Sequence, residues 1–396
     1  MELLTGQIRD YAWGSRTVIA QLQGRPAPAP GPEAELWLGA HPGAPSTVHR
    51  DGMPVSVAEL IGQDPAGWLG EPTAERFGGR LPYLMKILAA ETPLSLQAHP
   101  DAALARERYA AERAGSVADG GFNYADPYHK PELLVALTSF DALCGFRDPQ
   151  RSAEVLAALR IDGLEPVVKA LRTGPGGLCE AMQRLLTWPA DRRADLVGAA
   201  VAAVADLAPG FAADGDLLRG LARHYPADPG VLVALLLNKV TLAPGEAVWM
   251  PAGNLHAYLH GAGVEIMAAS DNVLRGGLTP KHVDVAELLR VLRFEVLTDP
   301  VVRPQSVTDG VITWPAPVAE FALHRVVLDD EVPQVTVAVS GPRVVLCLAG
   351  GVAVDDGLAA VAVPPGRAAF GPALPAPLTI SGAGEVFVAS VNVDFA

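Results

Sequence analysis

Gly245-Glu246-Ala247-Val248-Trp249-Met250-Pro251-Ala252-Gly253-Asn254-Leu255-His256-Ala257-Tyr258-Leu259-His260 is the stretch on which the reading of this chain turns. Apolar residues run up to Pro251 and resume after Gly253. A Pro-x-Gly between two apolar runs forces a tight turn between two strands. His256 then opens the second strand, a position from which an imidazole faces the inside of a small β barrel. A buried structural histidine after a turn is the plainer reading of this stretch taken alone, so the neighbouring polar residues decide between them.

Three further stretches supply such residues. In Pro93-Leu94-Ser95-Leu96-Gln97-Ala98-His99-Pro100-Asp101 an extended chain puts Ser95, Gln97 and His99 on one face and Leu94, Leu96 and Ala98 on the other. In Tyr128-His129-Lys130-Pro131-Glu132, Lys130 and Glu132 share a face, and Pro131, lacking an N–H, marks a strand start or an edge. In Gly263–His282, Glu265 sits in an apolar run, where a carboxylate needs a cationic or metal partner. Arg275 precedes Gly276-Gly277, on a loop suited to a ligand-binding guanidinium. Gln97, His99, Glu132 and His256 together offer two imidazoles, a carboxylate and an amide oxygen. This set suits Zn²⁺ with an open coordination position. An exposed polar strand face accounts for the first of these three stretches by itself, and a surface ion pair at a strand entrance for the second.

The chain has 396 residues, 50% of them hydrophobic, which excludes a disordered polymer. At about 150 residues per domain the length points to two or three domains. With 44 acidic against 30 basic residues the net charge is −14, which argues against nucleic-acid binding but leaves room for a small anionic ligand at a local cationic site. Lysine is scarce: Lys86, Lys130, Lys169, Lys239 and Lys281 are the whole set. Three widely spaced cysteines, Cys144, Cys179 and Cys347, read as reduced thiols of a cytoplasmic protein. Met1–Ser15 lacks the pattern of a secretory leader, and no apolar run of about 18 residues is free of charge, so no membrane association is expected.

Periodicity divides the chain further. Short apolar segments between Gly/Pro turns over 1–143 read as β structure with some helical decoration. Apolar residues at helical spacing over 144–235 read as an inserted helical domain, because Glu132 and His256 must meet across it. Residues 236–300 return to β, with a short helix near 283–292 after Pro280, and 301–396 read as a further jelly-roll-like β domain. There Val335–Val339 and Val344–Leu348 are expected strands, bracketed by Gly341-Pro342 and Gly350-Gly351. The expected fold class is therefore mainly β, two jelly rolls with an α-helical insertion.

The Pro-x-Gly-x-x-His pattern resembles the second signature of the cupin jelly rolls. With Asp10-Tyr11-Ala12-Trp13-Gly14-Ser15, Glu35-Leu36-Trp37-Leu38-Gly39-Ala40-His41-Pro42, Pro82-Tyr83-Leu84-Met85-Lys86 and the stretches above, the chain resembles the type I mannose-6-phosphate isomerases over residues 10 to about 294. The resemblance implies a zinc enzyme interconverting mannose 6-phosphate and fructose 6-phosphate, with Gln97, His99, Glu132 and His256 as ligands and Arg275 as an essential arginine. A proton passes between carbons 2 and 1 through a cis-enediol in such a reaction, which needs a base and an electrophile. Lys130, His129, Glu265 and Asp271 are the candidate bases. Lys130 and Arg275 are favoured nearest the reacting carbons, with Asp271 and Glu265 assisting ring opening or proton relay. Ser95 and Lys86 are expected to hold the phosphate, with His129 near the substrate and Trp13 walling the pocket. The alternatives are a different metal-dependent cupin enzyme, for instance one using Fe(II), and a sugar-phosphate-binding cupin without activity. The oligomeric state stays open, a monomer being admissible.

Overall fold

Strand His256–Ala268 belongs to two strand layers at once. Its first residues pair with Leu96–Ala98 and Phe140–Phe146; from Gly261 onward it pairs with Tyr83–Ala90, and from Gly263 with Glu132–Ala136 as well. The exchange occurs at Gly261, where φ is +123° and a Cβ would stand 2.6 Å from the Ser139 carbonyl oxygen. Only glycine combines that backbone with that close approach. Gly261→Val should lower the unfolding free energy by at least about 2 kcal/mol, through backbone strain and overpacking. Urea unfolding of the two proteins checks it, and an unchanged midpoint would remove this account of the strand exchange.

The computed structural model describes residues 1–115, 121–392 and 395. One face of the first jelly roll runs Val301–Val302, Ala247–Met250, Glu132–Ala136, His256–Ala268, Tyr83–Ala90, Glu35–Leu38 and Gln7–Arg9. The other runs Leu237–Leu242, Phe140–Phe146, the start of His256–Ala268, Leu96–Ala98 and Leu274–Gly277. All pairings are antiparallel. Leu88, Leu134, Phe140, Val248 and Tyr258 fill the space between the faces. On the opposite side of the first face, Met85, Ile87, Leu133, Val135 and Ile266 pack against Leu323, Val344, Leu346 and Phe387 of the second sheet. Burial on both sides explains why Tyr83–Ala90 reads as a near-continuous apolar run interrupted only by Lys86.

The helical region lies between two directly paired strands, Phe140–Phe146 and Leu237–Leu242. Its helices are Pro149–Ala158, Glu165–Leu171, Leu178–Leu186, Arg193–Ala203, Ala212–His224 and Gly230–Val233. Asp148 caps the first, its carboxylate accepting the Gln150 N–H, so the insertion starts at 149 where 144 was expected. The apolar Cys144-Gly145-Phe146 continues the strand instead. The leucine-rich helix faces share one core with Leu96, Leu143 and Leu274, which braces the strands of the site from outside.

The second sheet departs from the expected division at 301. Its order is Gln305–Thr308, Val311–Thr313, Ala322–Leu328, Leu378–Val391, Ser340–Asp355, Ala368–Gly371, Glu2–Thr5, Thr47–Arg50 and Met53–Ser56. Leu3 pairs with Ala369 and Leu4 with Val48, so three segments from within 1–143 complete the C-terminal sheet. Strands this short carry no local record of a partner so far away in sequence. Gly350-Gly351 also fails to end a strand: Ser340–Asp355 runs through it, with a register shift between Cys347 and Ala349 and φ of +72° at Gly350. The short helix is Val285–Val291, started by the Asp284 cap rather than by Pro280. Among the described residues no helix is long and apolar enough to cross a membrane.

Candidate metal centre and adjoining cavity

A ladder row builds the site. His256 stands opposite Gln97, and Gln97 opposite Arg275, so three polar residues lie side by side on adjacent strands. Glu132 opens its strand opposite Met250 and Met267, directly after Pro131. The Pro251-Ala252-Gly253 turn is tied to this row, because the Gly253 N–H donates to the His99 carbonyl at 2.8 Å. Gly253 has φ of +79°, the left-handed backbone that the turn requires.

His99, Glu132 and His256 are all buried, and one ligand atom from each lies within 4.8 Å of the others. Nδ1 of His99 donates to the Asn272 carbonyl at 2.7 Å, and Nδ1 of His256 to the Asn254 carbonyl at 3.1 Å. Each bond fixes the tautomer and leaves an Nε2 lone pair. These lone pairs lie 3.4 Å from Glu132 Oε1 and 3.2 Å from Glu132 Oε2. Burial, reinforced by the Lys130 charge, pulls the His99 imidazole down to about 4, so the ring is neutral. Burial would push Glu132 upward, but Lys130 and the imidazoles outweigh it and hold the carboxyl well below its ordinary value. His99 Nε2, His256 Nε2 and Glu132 Oε2 are buried without a hydrogen-bond partner among the described residues. Three converging acceptors left bare are costly in a protein interior unless a cation joins them. With Gln97 beside them, they fit zinc in donor type and number.

A cavity of about 540 Å³ adjoins the cluster. Of the residues selected from sequence, Trp13, Lys86, Ser95, Gln97, Lys130, Glu132, Glu265, Asp271 and Arg275 line it. Lys130 Nζ lies 2.7 Å from Glu132 Oε1. Arg275 is half-buried and makes no ion pair among the described residues, and burial lowers its pKa. Asp271 keeps an exposed carboxylate, held below its usual range by a hydrogen bond from His41.

Two residues expected near the substrate are already engaged by protein carboxylates. Lys86 is not a free cation awaiting a phosphate: its Nζ lies 2.9 Å from Glu265 Oε2 and 3.5 Å from Glu35 Oε1. Burial disfavours its charge, yet the two carboxylates prevail and raise its pKa. Lys86 and Glu265 are ladder partners, so the cation that Glu265 required comes from the neighbouring strand. His129 does not line the cavity, and its Nε2 lies 2.6 Å from Glu320 Oε1. Successive side chains of an extended chain point opposite ways, so with Lys130 facing the cavity His129 faces the second sheet's segment.

Several participants escaped the sequence reading. Tyr258 donates to Glu265 Oε1 at 2.9 Å, and Trp37 Nε1 to Glu35 Oε2 at 2.7 Å. Tyr258 follows His256 by the two-residue strand period, a signal that was available. Asn272 is fully buried; its Oδ1 accepts the Ala125 N–H at 2.8 Å and its Nδ2 donates to the Asp126 and Tyr128 carbonyls at 2.7 and 2.8 Å. That clamp holds the backbone carbonyl that orients His99.

Comparison with known proteins agrees with this geometry. A family model described as phosphomannose isomerase type I, catalytic domain, matches residues 1–149. The chain is 36% identical over 393 residues to mannose-6-phosphate isomerase of Escherichia coli K12, covering 98% of each. A solved structure of a lysine-to-alanine variant of phosphomannose isomerase from Salmonella typhimurium superposes with a TM-score of 0.88 at 32% identity, over 99% of this chain and 100% of that one. A mannose 6-phosphate isomerase bound with zinc and yttrium gives 0.85 at 32% identity, with the same coverage.

Proposed function

The chain belongs to the type I phosphomannose isomerases, and from that premise we propose that its cavity takes mannose 6-phosphate and returns fructose 6-phosphate, and the reverse. The observation that carries the reading is the convergence of His99, His256 and Glu132 acceptors beside Lys130 and Arg275, which is unpaired among the described residues. We assign His99, Glu132, His256 and Gln97 as zinc ligands. Zinc held there would supply Lewis acidity to polarise the carbonyl of the opened sugar.

The remaining chemistry belongs to side chains. Asp271, exposed at the cavity, moves the proton between the anomeric hydroxyl and the ring oxygen as the sugar opens. Lys130, acting as the neutral amine, takes the proton from carbon 2 and leaves an enediolate; a proton passes from the oxygen on carbon 2 to that on carbon 1 through the cis-enediol, and the Lys130 ammonium returns its proton to carbon 1. Arg275 stabilises the charge that builds on the enediol oxygens, since among the described residues no acidic side chain pairs with its guanidinium. Glu265, fixed between Lys86 and Tyr258, serves as proton relay and keeps Lys86 in place. Ser95 and Lys281, both at the cavity wall, receive the phosphate, and Trp13, stacked on Tyr11 at 5.7 Å, offers a flat face to the sugar. We place the enzyme in the cytoplasm, where its three free cysteines stay reduced.

A coupled assay from mannose 6-phosphate to fructose 6-phosphate tests the reading. Chelation should abolish turnover and Zn²⁺ should restore it. Full turnover by protein shown to be metal-free would overturn it.

A further inference from the structure

The buried histidine of Glu35-Leu36-Trp37-Leu38-Gly39-Ala40-His41-Pro42 is left unused by the reaction scheme, yet it reaches the cavity through one contact. His41 is 4% exposed, and its Nε2 lies 3.3 Å from Asp271 Oδ1. Its other nitrogen is already committed: the Gly43 N–H donates to His41 Nδ1 at 3.2 Å. A nitrogen that accepts a backbone N–H carries no proton, so in the neutral ring the proton sits on Nε2, facing Asp271. The ring cannot turn away easily, because it packs edge-on against Trp37 with centroids 4.7 Å apart. Trp37 is fixed in turn by its bond to Glu35.

Asp271 needs such a holder. Its backbone N–H is tied to Asp126 Oδ2 at 2.8 Å, and the next residue is clamped by loop 125–128, so the main chain is fixed. The side chain is more than half exposed, and His41 Nε2 is the side-chain nitrogen found within ion-pair distance of it among the described residues. One carboxylate oxygen is therefore anchored and the other remains available to the cavity.

We infer that His41 is the positioning residue for Asp271: by donating from Nε2 to Oδ1, it aims the second carboxylate oxygen at the sugar that is to be opened. The dyad inverts the familiar order, in which a carboxylate orients a working imidazole; here the imidazole is the buried support and the carboxylate the working group. This rests on the assignment of Asp271 as the proton-moving group of ring opening. Misaimed by even about 1 Å, such a group loses up to about a hundredfold in rate.

Two substitutions separate support of Asp271 from support of the loop. In His41→Asn the amide stands where Nδ1 stood, so the bond from Gly43 survives and the bond to Asp271 is lost. In His41→Gln the amide nitrogen reaches the position of Nε2 and donates to Asp271 again. The expected result is a fall in kcat of about 10- to 100-fold for His41→Asn, with KM within about twofold and zinc content unchanged, and recovery of most of the loss in His41→Gln. In an Asp271→Asn background, which alone should be strongly impaired, His41→Asn should add nothing further. A folded, zinc-loaded His41→Asn enzyme with full kcat overturns the inference while leaving the role of Asp271 intact. So does an equal loss in His41→Gln, or a second loss that multiplies the first in the double variant. An Asp271→Asn enzyme with full activity overturns the ring-opening assignment itself, and this inference with it.

Discussion

Glu132→Gln should fold and yet lose the ability to retain zinc, with affinity reduced by more than about 100-fold and isomerase activity falling to background. Substitutions in the groups that merely orient metal ligands typically cost 10- to 100-fold in affinity, and loss of the ligand's own charge exceeds that. Glu132 is the anionic member of the cluster, and its two oxygens lie between both imidazole Nε2 atoms. It also neutralises Lys130 at 2.7 Å. An amide at this position presents one N–H toward groups arranged to meet a cation, and Lys130 loses its counter-charge. A thermal measurement makes the prediction independent of turnover. Zinc that binds the folded chain alone raises its Tm by mass action, so the wild-type midpoint should climb with zinc while the variant's stays level. Competition with a chromophoric chelator gives the affinities directly. A variant that holds zinc as tightly as wild type would remove Glu132 from the ligand set.

The route by which the sequence disclosed this site had a physical limit. Side-chain alternation is local, so Ser95, Gln97 and His99 could be put on one face without knowing what lay opposite, and Lys130 with Glu132 likewise. The Pro251-Ala252-Gly253 turn is also local, since φ and the missing N–H are properties of the residues themselves. Those features, and the family motifs built from them, made the fold class and the metal-candidate cluster legible. Partnerships across the ladder were not. Lys86 lies opposite Glu265 because Tyr83–Ala90 and His256–Ala268 pair in one register, and no periodicity within either strand states that register. The ion pair between Lys86 and Glu265 was hidden from the sequence for this reason. His129 was readable, by contrast: once Lys130 faces inward, its neighbour must face out. The pairing of Glu2–Thr5 with Ala368–Gly371 lies at the other extreme, spanning nearly the whole chain between two four-residue strands. Buried polar holders such as Asn272 share that difficulty, because what they do is set by the carbonyls that surround them.

Arg275→Ala should leave zinc content and fold unchanged while lowering kcat by about 100- to 1000-fold, with a smaller change in KM. Removing one preorganised donor from the place where transition-state charge develops costs about 2.7–4 kcal/mol, which is that rate factor. The position argues for an effect confined to the transition state. Arg275 sits on the ladder row of His256 and Gln97, half-buried at the cavity wall, and no carboxylate among the described residues pairs with it. A guanidinium tied to protein acids would have to break those bonds as the enediol charge formed, whereas this one has its donors free when the charge appears. The ground-state sugar, whose oxygens are neutral there, gains less from it, so KM should move less than kcat. Arg275→Lys should recover only part of the loss, because an ammonium keeps the charge but not the planar pair of donors that can span two adjacent oxygens. Deuterium exchange distinguishes this from a binding defect: with sugar phosphate saturating, transfer of label from carbon 2 to solvent should slow along with kcat. A folded, zinc-loaded Arg275→Ala enzyme with unaltered kcat would exclude Arg275 from the chemistry and leave Lys130 and the metal to stabilise the enediol unaided.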